Sequence, residues 1–182
     1  MEQSLFVRVE RWLTANRPDY YARLQPGVAD AQLDAKFSLI LPPAFRDLYR
    51  WRNGQADGNY KSLQGNRMFS SLEEIAETKE LLDGMIGYGF DRPEWWRLGW
   101  IPFLSNGGGS YLCVDVVAED GGQPGQLVEF WKADEDRSVE CPSMQAWMTA
   151  LVPHRTSSFG YRKSSFLRAS ATRKVQTILA CA

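Results

Sequence analysis

Trp100-Ile101-Pro102-Phe103-Leu104-Ser105-Asn106-Gly107-Gly108-Gly109-Ser110-Tyr111-Leu112-Cys113-Val114-Asp115-Val116-Val117 is the stretch that decides the fold. Its ends are rich in β-branched and aromatic residues and its middle in turn formers, so it reads as strand, turn, strand. Alternation in the second strand sends Tyr111, Cys113, Asp115 and Val117 to one face and Leu112, Val114 and Val116 to the other. Asp115 is expected to accept hydrogen bonds from a neighbouring loop. Glu119 to Gly125 forms an acidic, glycine-rich hairpin loop. Leu127–Trp131 returns as the next strand, and Ser138-Val139-Glu140 reads as a last short one.

Upstream the period is helical. Leu5, Val9, Trp12 and Leu13 share one face of a helix over 4–15, and Leu33 and Phe37 mark a second over 29–37. Pro42-Pro43 opens a third, with Phe45, Leu48 and Tyr49 inward and Asn53-Gly54 suited to end it. Residues 55–67 read as loop and Met68-Phe69 as a brief strand. Ser71-Leu72-Glu73-Glu74 matches a capping box that starts a helix to about Met85. Pro93-Glu94-Trp95-Trp96 forms a turn or short helix, and Ser143 caps a last helix through Leu151. Helices, then an antiparallel meander, then a helix make an α+β domain with one mainly antiparallel sheet packed by helices.

The chain has 182 residues, enough for one domain, with 44% hydrophobic and 24% charged residues. No apolar run approaches the ~20 residues of a membrane helix. The start, Met1-Glu2-Gln3-Ser4-Leu5-Phe6-Val7-Arg8, breaks into charge too soon for a secretory signal. Cys113, Cys141 and Cys181 are widely spaced and odd in number, so reduced thiols and a cytoplasmic location are expected. Charge divides the chain. Residues 1–154 carry fifteen Lys/Arg against twenty-two Asp/Glu, a net of −7, and residues 155–182 carry six basic residues and no acid, a net of +6. The first part is read as the domain. The second is read as a basic helical extension with Leu167, Ala171, Val175 and Ile178 on one stripe. An acidic body suits a basic partner and repels nucleic acid.

Little in the sequence points to catalysis. His154 is the single histidine and reads as a surface or capping residue. The cysteines lack zinc or redox spacing. Gly107-Gly108-Gly109 is followed by Ser110-Tyr111 and a strand, not by the Lys-Ser/Thr and helix of a phosphate loop, so it reads as a tight turn. No metal, cofactor or catalytic residue is therefore expected. Trp100 and Trp131 read as core. Adjacent Trp95 and Trp96 cannot both face one core.

Four stretches in order resemble one superfamily. They are Leu41-Pro42-Pro43 through Asn53-Gly54-Gln55, Phe69-Ser70-Ser71-Leu72-Glu73-Glu74, Trp100-Ile101-Pro102-Phe103 through Asp115, and Gly125-Gln126-Leu127-Val128 followed by Ser143 to Met148. The set is similar to the SUKH superfamily of Smi/Knr-like proteins, over about residues 28–152. The resemblance implies an α+β domain that binds another protein and catalyses nothing. Bacterial members look like immunity proteins that neutralise a cognate toxin, and fungal members like regulators of cell-wall assembly. The basic extension falls outside the shared pattern. Partner contacts are expected on loops, at Asp57, Asn59, Glu94, Trp95, Trp96, Asn106, Glu119, Asp120, Asp134, Glu135 and Asp136.

Overall fold

The computed structural model describes residues 3–90, 92–119 and 121–152; Asp120, His154 and the basic extension lie outside them. The meander is as the sequence predicts. β3 (Met68–Phe69), β4 (Trp100–Ser105), β5 (Tyr111–Asp115), β6 (Gln126–Phe130) and β7 (Val139–Cys141) form a five-stranded sheet in that order. Every pairing in it is antiparallel. Before it come α1 (Gln3–Asn16), α2 (Pro18–Tyr21), α3 (Asp30–Lys36) and α4 (Pro43–Trp51). α5 (Leu72–Gly84) lies between β3 and β4, and α6 (Met144–Leu151) follows β7.

Alternation along β5 sorts its residues between two cores. Leu112 and Val114 join Ile101, Phe103 and Leu127 in the main core, against Leu5, Val9 and Leu13 of α1, Phe45 and Tyr49 of α4, and Trp147 of α6. On the other face Trp100, Cys113, Val128 and Phe130 pack with Leu82 of α5 and Trp96. Each buried aromatic or aliphatic side chain contributes about 1.5–3 kcal/mol relative to exposure, so the two faces together fix the register of the sheet.

The helix boundaries follow local chemistry. Ser71 Oγ accepts from Glu74 N (3.2 Å), and a Glu74 carboxylate oxygen accepts from Ser71 N (2.6 Å), completing the expected capping box. Ser143 Oγ accepts from Ala146 N (3.1 Å) at the start of α6. α4 departs from expectation at its end. The helix stops at Trp51, and Asn53-Gly54 lies in a strand, β2 (Arg52–Gln55), paired antiparallel with β1 (Leu24–Pro26). The pair still caps a helix, but not its own: Asn53 Oδ1 accepts from Leu72 N (2.8 Å), at the first turn of α5. This small second sheet is anchored by Gln55, whose Oε1 accepts from Tyr20 Oη and from Phe69 N (both 3.1 Å).

Asp115 is 5% exposed and takes the structural part expected of it. Its carboxylate accepts from Val117 N (3.2 Å), Ala118 N (2.8 Å) and Gln126 Nε2 (3.0 Å). Asp115→Ala orphans these donors, so a stability loss of about 1–3 kcal/mol is expected in thermal melts. A variant that melts like the wild type would show that water replaces the carboxylate. The expectation of three reduced cysteines is corrected at one position. Cys113 is free and buried, but Cys141 is disulfide-bonded. Sequence spacing does not reveal such a pairing.

Candidate functional site

The strand register places several loops at one end of the sheet. Tyr111 faces Phe130 and Ser105 there, whereas Asp115 faces Gln126 and Trp100 at the other end. The first end therefore carries the β4–β5 glycine turn, the β6–β7 loop and the loop that precedes β3.

The glycine turn is closed by its own hydrogen bonds. Asn106 Oδ1 accepts from Gly108 N (2.8 Å) and Ser110 N (3.0 Å), and Ser105 Oγ accepts from Gly107 N (3.1 Å). Gly107 (φ +72°) and Gly109 (φ +88°) hold the left-handed conformations the turn needs. Ser110 Oγ accepts from Lys132 N (3.1 Å), tying the turn to the β6–β7 loop. That loop is tied in turn to the 3₁₀ segment Pro93–Trp95. Arg137 Nε donates to Trp95 O (3.1 Å), and its guanidinium lies over the Trp95 ring (4.8 Å) and the Phe130 ring (4.7 Å).

Two clefts flank the glycine turn. One, about 440 Å³, is lined by Asp57, Tyr60, Met68, Glu74, Thr78 and Gly107, among others. The other, about 400 Å³, is lined by Gly108, Ser110, Trp131, Lys132, Asp134 and Asp136, with Ala133. Gly107 lines one and Gly108 the other, so the glycine turn is the ridge between them.

The structure sorts the expected contact residues. Asp57, Asp134, Glu135 and Asp136 are exposed at this end, with Glu135 paired to Arg92. Glu94 is exposed on the 3₁₀ segment beside them, and Trp95 is half-buried under Arg137. Asn106 is half-buried with its carbonyl already committed to the turn. Two of these residues lack the exposure expected of them. Trp96 is 1% exposed, edge-on to Trp100 (5.6 Å) and Phe130 (5.2 Å), with its Nε1 donating to an Asp83 carboxylate (2.7 Å). Asn59 is 5% exposed, because Gln55 Nε2 donates to its backbone carbonyl and draws the loop inward. Glu119 is exposed at the opposite end of the sheet, 4.0 Å from Arg97, and Asp120 is outside the described residues.

Two aromatic residues at this end belong to the surface and escape a reading by pattern. Trp131 is 37% exposed instead of buried, because β6 ends at Phe130 and the chain turns away. Tyr60 is 85% exposed at the mouth of the first cleft. Its signal was an aromatic side chain in a polar loop with no periodic neighbours. Cys113 supplies no nucleophile, since burial pushes its thiol well above the usual range. Among the described residues no group of three or more His, Cys, Asp or Glu is placed to hold a metal ion. No helix among them is long and apolar enough to cross a membrane.

A model of the SMI1 / KNR4 family (SUKH-1) matches residues 30–150. The chain belongs to the SMI1/KNR4 family. The SUKH-1 match runs from α3 into α6 and so takes in the five-stranded sheet and both clefts, while α1 precedes it. No curated protein matches the chain.

Proposed function

We propose that this SUKH-1 chain is a non-catalytic protein-binding module, an immunity protein that neutralises a basic cognate toxin by covering its active site. The observation that carries the reading is the character of one end of the sheet. Exposed carboxylates (Asp57, Asp134, Asp136) and exposed aromatic rings (Tyr60, Trp131) surround two clefts, on loops held in place by internal hydrogen bonds. Aromatic anchors with a charged rim are the composition of a protein interface. Pre-organised loops lower the ordering cost of binding. SUKH membership suggests a protein partner.

The test is co-expression with the toxin-type product of the neighbouring open reading frame. Rescue of growth, with a stable complex on gel filtration, is the expected result. Failure to rescue, with capture of a purified housekeeping partner instead, would favour the regulatory reading of the cell-wall-assembly type. Within a complex, reversing Asp57, Asp134 and Asp136 to Lys should slow association about tenfold or more at low salt and flatten its salt dependence. Glu119→Lys, at the far end, should change the rate less than about twofold. Equal effects at both ends would remove the assignment of the interface to this end.

A further inference from the structure

We infer that the cleft between the Gln55–Tyr60 loop and α5 receives an extended segment of the partner that carries an arginine or lysine. This rests on the protein-binding reading above and assigns it a site and a chemistry. Charge is the first observation. Among the described residues, the ionisable side chains on the cleft wall, apart from Tyr60, are Asp57 and Glu74, and no Lys or Arg lines it. The helix beside it has the same sign. α5 exposes Glu73, Glu77 and Glu80, while its one cation, Lys79, is turned inward. Lys79 Nζ donates to the Asp83 carboxylate (2.8 Å) and to Leu98 O (2.7 Å), and the residue is 9% exposed. The cleft therefore attracts a cation and repels phosphate.

A second, independent observation concerns Asn59, which lines the same cleft and is 5% exposed. Its Oδ1 accepts from Lys61 N (3.3 Å), but its Nδ2 has no acceptor among the described residues. A buried amide donor without an acceptor is costly. A free cation cannot satisfy it, because guanidinium and ammonium groups only donate. A peptide carbonyl can. A chain that presents a carbonyl to Asn59 and a cationic side chain to Asp57 and Glu74 satisfies both groups. The exposed Tyr60 ring at the mouth offers the cation a π face.

The full-length, ¹⁵N-labelled protein is titrated with the blocked peptide acetyl-Gly-Arg-Gly-amide. Controls carry Lys, Glu or citrulline, the neutral isostere of arginine, at the central position. Saturable amide shifts are expected at Asp57–Tyr60, Thr78 and Gly107, with movement of the Asn59 side-chain NH₂ signals. Citrulline should bind more weakly than arginine, and the Glu peptide should not bind. Asp57→Asn combined with Tyr60→Ala should weaken the Arg peptide about tenfold, at an unchanged melting temperature. Shifts confined to other surfaces, equal binding of arginine and citrulline, or an unaffected double variant would each overturn the inference. The growth-rescue assay is read separately. Rescue by a chain whose cleft ignores the Arg peptide removes this site and leaves the immunity reading intact. Peptide binding without rescue does the reverse.

Discussion

Gly54→Ala is expected to lower the melting temperature by about 4–20 °C. Two costs add. Gly54 has φ +71°, a conformation that costs an L-residue about 1–2 kcal/mol. A Cβ there would also lie 2.6 Å from Ser70 O and closer still to Ser71 N. Both atoms are backbone, so they cannot move aside without disturbing the start of α5. Overpacking of this kind costs about 1–3 kcal/mol. At ~2–4 °C per kcal/mol for a domain of this size, the sum gives the stated shift. Gly58→Ala separates the two costs. Gly58 has φ +73° and nothing within 4 Å of an added Cβ, so only the conformational cost applies. Differential scanning calorimetry of both variants checks the argument. Equal losses would mean that the Ser70–Ser71 backbone yields, and that the close approach of β2 to α5 is soft.

Arg67→Ala is expected to cost about 3–5 kcal/mol. Arg67 sits in the turn before β3 and reaches Glu129 on β6, with Glu140 on β7 at 3.9 Å. Its side chain is 15% exposed and that of Glu129 is 13%, so neither end of the pair is well hydrated. Burial holds the guanidinium below its usual pKa range, with Glu140 opposing. Removing the cation strands a carboxylate beside the main core, where an uncompensated charge costs far more than the intact pair contributes. Arg67→Met with Glu129→Leu removes both charges and should recover most of the loss. Urea denaturation of the two variants decides between causes. A double variant as weak as the single one would assign the loss to packing of the arginine stem instead of the orphaned charge.

Local chemistry was readable in advance where an element carries its own instructions. Ser71 and Glu74 satisfy each other three residues apart, and Ser143 caps α6 within one turn. Alternation along β5 placed Leu112 and Val114 in one core and Cys113 in the other, and it left Asp115 to the following loop. The acidic character of the body and its kinship with the SMI1/KNR4 family were also legible before any coordinates.

Tertiary structure decided what depends on partners distant in the chain. Asn53-Gly54 has the residue types of a helix end, yet it serves α5 because β2 pairs with β1 and brings Asn53 to Leu72. Trp95 and Trp96 are equivalent in the sequence, and only the fit of Trp96 against Trp100 and Phe130 says which is buried. Asn59 looks like a loop contact until Gln55 draws its carbonyl inward. The division of the acidic loops between two ends of the sheet follows from strand register, as in Tyr111 facing Phe130 and Asp115 facing Gln126. Helical periodicity and capping act over three or four residues, so the sequence determined the longer helices, the strands of the meander and the charge of this protein. Burial and register are set by contacts between segments far apart in the chain, so only the folded chain could gather Asp57, Asn59, Tyr60 and Glu74 into one cleft.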